Sequence, residues 1–143
     1  MSPESKLERT LAIIKPDAMG RGLAGDILSR VQRAGFSIVA IKSLRLTLFQ
    51  AEGFYAVHRG KGFFGELTSF MSSGKIIVMA LEASGAIARW RETMGATDPA
   101  KAVPGSIRRD LGTSIQNNCT HGSDGADTAA FEISYFFASH ELL

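Results

Sequence analysis

Cysteine is nearly absent from this sequence. The 143 residues include one, Cys119, so the chain cannot form an internal disulfide, and we expect it to fold in a reducing compartment. One cysteine and three scattered histidines also exclude a metal cage rich in cysteine and histidine, because such a cage brings about four ligands together. Neither a disulfide framework nor a structural zinc site is therefore expected.

Long apolar runs are absent as well. No stretch approaches the ~20 residues that a membrane span needs, and Met1–Glu8 is polar and charged, unlike a secretory signal. An excess of one charge is also missing, since 16 basic residues face 14 acidic residues for a net charge of +2. We therefore expect a cytoplasmic protein without a membrane partner, and the charge balance predicts no nucleic-acid partner.

The common phosphate-binding motifs are incomplete or lack the structural context that they need. Ser73-Gly74-Lys75 resembles the end of a P-loop, but that motif needs glycine where Ser69 stands and serine or threonine where Ile76 stands. The spacing G-x-G-x-x-G occurs at 20–25 and at 60–65, but neither segment directly follows a predicted strand, as the dinucleotide-binding motif requires. His58 and His140 lack partners at metal-binding spacing, and we interpret both as solvated surface residues.

The apolar pattern predicts four strands and several helices. Strands are predicted at Thr10–Lys15, Phe36–Leu46, Lys75–Leu81 and near Asn117–His121. Helices are predicted at about 22–34, 48–57, 62–72, 84–94 and 125–137. This order is a split βαβ pattern, so we expect an α/β (α+β) ferredoxin-like fold whose four-stranded antiparallel sheet carries packed helices. One domain is expected to cover residues 1–143, and its long loop, residues 95–120, is expected to be functional.

His121 is the first candidate for reactive chemistry. It lies where an extended segment enters a helix, and the N-terminus of a helix attracts anions. Glu132 follows eleven residues later on the polar side of that helix. If the two side chains meet, the carboxylate fixes one ring nitrogen and leaves the other free to attack, but the sequence alone does not place them together.

Three cations form a second pattern. Taken singly, Lys15, Arg91 and Arg108 also fit solvated surface charges, whereas together they would form a clamp for phosphate. Phe63 and Phe64 follow a basic, glycine-rich turn; one is expected to pack in the core, and the other could stack on a flat ring. The residues alone therefore predict a small α/β protein with a possible anion site and a possible nucleophilic histidine.

Several motifs, in order along the chain, resemble the nucleoside diphosphate kinase family. They are E-R-T-L-A-I-I-K-P-D-A (8–18), R-G-L-A-G-D-I (21–27), F-F-G-E-L (63–67), M-G-A-T-D-P-A (94–100), P-G-S-I-R-R-D (104–110) and N-N-C-T-H-G-S-D (117–124). The resemblance runs from about Glu8 to the last residue. Gly62, Lys75 and Gly125 depart from residues common in the family, but none of them replaces a catalytic group.

The resemblance implies transfer of the γ-phosphate of a nucleoside triphosphate to a nucleoside diphosphate through a phosphohistidine, which maintains NTP and dNTP pools. His121 would be the nucleophile, Glu132 would hold its second ring nitrogen, and Ser123 would support that carboxylate. Lys15 would bridge the ribose and the transferred phosphate, and Tyr55 would lie against the γ-phosphate.

The resemblance also implies a nucleotide site. The phosphates would be held by Arg91, Thr97 and Arg108, the base by Phe63, Leu67 and Ile115, and the sugar by Asn118. Mg²⁺ would be held mainly by phosphates and water, with Asp124 nearby. No assigned residue hydrogen-bonds a base edge, so ATP, GTP, CTP and UTP are all expected to serve.

Two further expectations concern partners. The alternative to an enzyme is a catalytically idle regulator that binds nucleotides or nucleic acid, although nucleic acid is not required by any motif.

A homo-oligomer is expected because the second strand, Phe36–Leu46, is long and apolar on both faces and could pair across a two-fold axis, and because little chain follows Phe136-Phe137. A tetramer is favoured, and a hexamer is the other possibility.

Overall fold

The computed structural model describes residues 6–143. Residues 1–5, which hold most of the Met1–Glu8 segment and the start of the predicted domain, lie outside the described residues. The strands are β1 (Leu7–Ile14), β2 (Ser37–Leu44), β3 (Ile76–Ser84) and β4 (Thr120–Gly122). The helices are α1 (Pro16–Gly20), α2 (Ala24–Arg33), α3 (Leu48–Phe54), α4 (Phe64–Met71), α5 (Ala86–Met94), α6 (Ile107–Leu111) and α7 (Ala126–Phe136). Short 3-10 helices cover Ala56–His58, Pro99–Lys101 and Ser139–Glu141.

The four strands form one antiparallel sheet in the order β2-β3-β1-β4. The predicted ferredoxin-like sheet is confirmed, with β1 and β3 in the centre and β2 and β4 at the edges. The second half of β1, residues 11–14, is a continuous apolar run because helices cover both faces of the strand there. Leu11 and Ile13 pack with α3, α4 and α7, whereas Ala12 and Ile14 pack with α2, α5 and α6.

Two helices were not predicted, and each has a local cause. Pro16, which directly follows the predicted strand Thr10–Lys15, occupies the first turn of α1, where its missing N–H costs nothing. Segment 95–120 was predicted as loop, but it contains α6. Ser106 caps the start of this helix, because its hydroxyl accepts a hydrogen bond from the Arg109 amide. Both helices stand beside residues predicted for the site, because Lys15 precedes α1 and Arg108 belongs to α6.

Candidate active site

His121 lies on the edge strand β4, beside the central strand β1. It pairs with Ile13 in the sheet, and its carbonyl oxygen accepts a hydrogen bond from Nε1 of Trp90 at 3.2 Å. Its imidazole meets the rings of Phe54 and Tyr55 edge-on, at centroid distances of 5.5 and 6.1 Å. Backbone and ring are therefore both held in place.

A chain of hydrogen bonds determines which nitrogen of His121 carries the proton. The Leu11 amide donates to Oγ of Ser123 at 3.2 Å, and that hydroxyl donates to Oε1 of Glu132 at 2.8 Å. Nε2 of His121 lies 2.9 Å from the same carboxylate oxygen. Because the carboxylate can only accept, Nε2 carries the hydrogen, and Nδ1 keeps the lone pair of a nucleophile. The predicted meeting of His121 and Glu132 does occur, because α7 folds back across β1.

A cavity of about 470 Å³ opens beside His121. Eleven of the thirteen predicted site residues line it: Lys15, Tyr55, Phe63, Leu67, Arg91, Thr97, Arg108, Ile115, Asn118, His121 and Asp124. The other two, Ser123 and Glu132, form the hydrogen-bonded chain that holds the histidine. The tertiary fold thus gathers residues from five separate parts of the chain into one concave site.

Lys15 is a buried cation at the inner end of this cavity. Its ammonium donates to Oδ1 of Asn118 at 2.8 Å, and the amide of Asn118 donates to the Thr97 carbonyl at 3.0 Å. Burial, assisted by the nearby charge of Arg108, lowers the pKa of Lys15 to about 8. An anion bound here would restore the ordinary preference of Lys15 for its charged form, so the site favours a negatively charged ligand.

Arg108 is the second buried cation. Two of its N–H groups donate to the carbonyls of Thr120 and Gly95, at 2.8 and 3.2 Å, and its buried Nε has no partner within residues 6–143. Burial, with the charge of Arg91, lowers its pKa to about 10. Arg91 itself is exposed at the mouth of the cavity and forms a 2.6 Å ion pair with Asp124. The three predicted cations therefore do converge.

Tyr55 places a buried hydroxyl in the same wall. Among the described residues that hydroxyl has no hydrogen-bond partner, and burial raises its pKa well above the ordinary value. The phenol therefore keeps its proton and can donate to a ligand. A donor that is buried in a cavity wall without a protein partner can be satisfied by a ligand that enters the cavity.

The outer part of the cavity is apolar. Phe63 and Ile115 are 49% and 61% exposed, and Leu67 lies beside them, whereas Phe64 packs against the core. The two roles left open for the phenylalanine pair are thus divided: Phe64 belongs to the core, and Phe63 presents its ring to the cavity. A flat, apolar ligand group fits between these walls.

The comparisons with known proteins agree with this geometry. The family model for nucleoside diphosphate kinase matches residues 8–142. The chain belongs to the nucleoside diphosphate kinase family. The nucleoside diphosphate kinase of Desulfotalea psychrophila is 57% identical over 137 residues, which cover 96% of this chain and 100% of that relative. The corresponding enzyme of Syntrophotalea carbinolica is 56% identical over the same coverage.

Solved structures of this family have the same fold. The crystal structure of the Aquifex aeolicus nucleoside diphosphate kinase matches with a TM-score of 0.94 at 45% identity, over 96% of this chain and 100% of that chain. A halophilic nucleoside diphosphate kinase from Halobacterium salinarum, solved in complex with CDP, matches with a TM-score of 0.92 at 41% identity, over 96% of this chain and 92% of that one. As a nucleoside diphosphate kinase, the chain is an enzyme of the phosphotransferase class, and these matches give no support to an idle regulator.

Four residues that line the nucleoside diphosphate kinase cavity were not among the predicted ones: His58, Met94, Gln116 and Gly122. His58, interpreted as a solvated surface residue, is half-buried: its ring lies 5.3 Å from that of Phe63, and its Nδ1 lies 3.1 Å from Nζ of Lys61. His140, in contrast, is exposed as expected.

Gly122 shows why the residue after His121 carries no side chain. A Cβ atom there would lie 2.5 Å from Cδ1 of Trp90 and 2.7 Å from Cε of Met94. These distances are shorter than real Cβ contacts, so a side chain would push α5 away from β4. The close packing of Trp90 onto this glycine is what brings its indole N–H to the His121 carbonyl.

The residue types around the cavity bear on how a metal ion could be held. Within residues 6–143, no group of three or more His, Cys, Asp or Glu side chains could hold a metal ion, and Asp124 is the one carboxylate among the residues lining the cavity. A single carboxylate suits Mg²⁺, which keeps several waters and binds phosphate oxygens.

Over residues 6–143, none of the helices has the length and apolar character to cross a membrane.

Replacing Glu132 with glutamine tests the hydrogen-bonded chain. The substitution keeps the shape of the side chain but removes the charge that fixes the His121 proton, so we expect kcat to fall by about 10- to 100-fold, with KM for nucleotides little changed. Steady-state kinetics measures both. Asp127→Asn, on the same helix but outside this cavity, is the matched control and should keep wild-type kcat. An equal fall in kcat in both variants would contradict the role of Glu132, and so would a change in KM with kcat unchanged.

Proposed function

We propose that this enzyme transfers the γ-phosphate of a nucleoside triphosphate to a nucleoside diphosphate through a phosphate carried on Nδ1 of His121. The observation that carries the proposal is the chain from Ser123 through Glu132 to Nε2, at 2.8 and 2.9 Å, which leaves the lone pair on Nδ1. Lys15, Arg91 and Arg108 line the same cavity and supply positive charge for the phosphates.

Two half-reactions follow from this arrangement. In the first, Nδ1 of His121 forms a bond to the γ-phosphorus, and the bond from that phosphorus to the β–γ bridging oxygen breaks, which releases a nucleoside diphosphate. In the second, a terminal oxygen of an incoming nucleoside diphosphate attacks the same phosphorus, and the N–P bond breaks. The imidazole gains positive charge while it carries the phosphoryl group, and the carboxylate of Glu132 at Nε2 offsets that charge.

The remaining predicted residues divide between the two ends of the cavity. At the phosphate end, Thr97, Arg91 and Arg108 hold the β- and γ-phosphates, and the Tyr55 hydroxyl donates to the γ-phosphate. Lys15 bridges the ribose and the transferred phosphate. At the other end, the base lies between Ile115 on one side and Phe63 with Leu67 on the other. Asn118, which already holds Lys15, contacts the sugar.

A magnesium ion fits this donor set. Asp124 is the carboxylate at the mouth of the cavity. Because it is already paired with Arg91, it would assist an ion that the nucleotide phosphates mainly hold. When bound, Mg²⁺ supplies neutralisation of phosphate charge. Among the described residues, the protein's own contribution is the cationic clamp and the fixed histidine. We also propose a single catalytic domain in the cytoplasm, to which the free, buried thiol of Cys119 is suited.

Incubation with γ-labelled ATP tests the proposed function. The protein should acquire label that is lost in acid, as a phosphohistidine is, and should pass it to ADP, GDP, CDP or UDP at rates within a modest range, since stacking tolerates any base. Acid-stable label, or no label, would contradict the proposal. A several-thousandfold preference for one base would contradict the broad specificity alone.

The lowered pKa of Lys15 predicts proton uptake on binding. In the free protein its pKa is about 8, below the ordinary 10.5, so at pH 9 the amine is mostly neutral. A phosphate ligand favours the ammonium form, so binding of ADP at pH 9 should take up nearly one proton, and affinity should fall as pH rises above 8. Calorimetry in buffers of different ionisation enthalpy measures the uptake. Lys15→Met should remove it, and Lys75→Met, an exposed lysine outside the cavity, should not. Uptake that persists in Lys15→Met would assign the proton to another group.

We propose that the protein forms a homo-oligomer and that this oligomer is a tetramer in preference to a hexamer. β2 is an edge strand that pairs with β3 on one side, and Ile41 on it is 48% exposed, so β2 of a second copy can extend the sheet. Light scattering after size exclusion should give four times the 15.3 kDa of one chain. Ile41→Lys should lower this mass, whereas Leu48→Lys, an exposed apolar position outside the sheet, should not. A hexamer would contradict the tetramer, and a monomer would contradict both.

A further inference from the structure

Gln116 lines the cavity from a tightly held turn. The backbone amide of Thr113 donates to the Asn117 carbonyl at 2.9 Å, and the Asn117 amide donates to Oγ of Ser114 at 3.0 Å. Gln116 lies inside this turn, directly after Ile115, and both side chains border the cavity. Its position in the wall is therefore defined by the backbone, at the apolar end of the site.

No described residue of the protein pairs with the carboxamide of Gln116. Over residues 6–143 its oxygen and nitrogen make no hydrogen bond, and the residue is exposed. The other carboxamide bordering the cavity, Asn118, is buried and engaged at both ends, with Lys15 and with the Thr97 carbonyl. Gln116 therefore carries the carboxamide that remains available to a ligand.

We propose that Gln116 hydrogen-bonds the Watson–Crick edge of the bound base and does so for all four bases. The inference rests on the proposed function, in which the base lies between Phe63 and Ile115. Adenine and cytosine present an amino donor beside a ring-nitrogen acceptor, whereas guanine and uracil present a carbonyl acceptor beside a ring N–H donor. A carboxamide carries one donor and one acceptor side by side, and a half-turn about its terminal bond exchanges them. Gln116 thus adds affinity without selecting a base, and the site gains a polar contact to the base that the motifs did not indicate.

Titration with ADP, GDP, CDP and UDP, without any triphosphate, tests this role because no transfer takes place. Gln116→Leu removes both hydrogen-bonding atoms, so each affinity should fall by about twofold to tenfold, with the ratios among the four kept. Gln32→Leu, an exposed glutamine on α2 outside the cavity, is the control and should bind as wild type does. Unchanged affinities in Gln116→Leu would overturn the inference, and a loss confined to one base would overturn its lack of selectivity.

Gln116→Glu gives a second, independent readout. A carboxylate only accepts, and guanine alone presents two neighbouring donors, N1–H and N2–H, on this edge. The added charge weakens all four diphosphates alike through repulsion, so the ratio of GDP to ADP affinity isolates the base contact and should rise by about tenfold. An unchanged ratio would overturn the inference. Labelling of the wild-type protein with γ-labelled ATP distinguishes a failure of the proposed function from a failure of this inference. Absence of phosphohistidine would refute the proposed function. Normal labelling, together with Gln116→Leu affinities equal to those of wild type, would refute this inference alone.

Discussion

Replacing His121 with glycine is expected to reduce phosphoryl transfer by at least about 10³-fold, because the substitution removes the nucleophile itself. Affinity for nucleoside diphosphates should change little, since the cations and the apolar walls of the cavity remain. Loss in kcat without loss in binding is the signature of a group that reacts and does not hold the ligand. Coupled-assay kinetics and calorimetry measure the two quantities, and labelling with γ-labelled ATP should yield no phosphoprotein.

His140→Gly is the matched control for this experiment. His140 is exposed on the 3-10 helix Ser139–Glu141, outside the cavity, so its removal should leave labelling and turnover at the wild-type level. Substantial turnover in His121→Gly, or acid-labile label that persists in it, would show that another residue carries the phosphate.

Arg108→Lys is expected to lower kcat/KM by about 100-fold or more. The guanidinium of Arg108 donates to the carbonyls of Thr120 and Gly95, and its Nε has no partner among residues 6–143, whereas an ammonium group cannot bond both carbonyls and a phosphate in the same way. Lysine keeps the positive charge, so the loss in kcat/KM measures what the forked hydrogen bonds of the guanidinium contribute. Because Arg108 is buried, thermal unfolding must accompany the kinetics.

The neighbouring Arg109 provides the control for this substitution. It lies on the same helix, is exposed, and donates to the Ala100 carbonyl at 2.9 Å, away from the cavity. Arg109→Lys should keep kcat/KM within about twofold, as surface changes usually do. If both variants retain wild-type kcat/KM while remaining folded, Arg108 does not contact the phosphates.

The kinds of elements and their order could be predicted because they follow from local spacing. α5 was predicted at 84–94 and is found at Ala86–Met94, since apolar residues at helical spacing form one face that must be buried. The start of β1 was predicted three residues late. Glu8 and Arg9 interrupt its apolar run, and each has a partner distant in sequence: Glu8 accepts from the Ile87 amide, and Arg9 pairs with Glu82. Local pattern cannot reveal such partners.

The composition of the site could be predicted from motifs, but its geometry could not. The H-G-S-D element identified His121 and Ser123, and the family resemblance assigned Glu132, yet nothing local brings residues 121 and 132 within 2.9 Å. That distance depends on how α7 crosses the sheet. Gln116 and His58 were missed for a related reason, because a polar residue in a loop has the same local pattern whether it borders a cavity or faces solvent.

By itself the sequence determined the apolar faces, the helix starts and the residue types available for phosphate chemistry, since these depend on neighbours within a few turns of chain. The tertiary structure alone decided that Lys15, Arg91, Arg108 and His121 meet. Pairing of Ile13 with His121 sets β4 beside β1, and the Lys15 amide then donates to the Cys119 carbonyl at 2.8 Å, which holds the lysine beside the loop that precedes the histidine. Strand register and helix crossing are settled by burial of the whole core, and a buried cation or a defined histidine tautomer exists only once that core has formed.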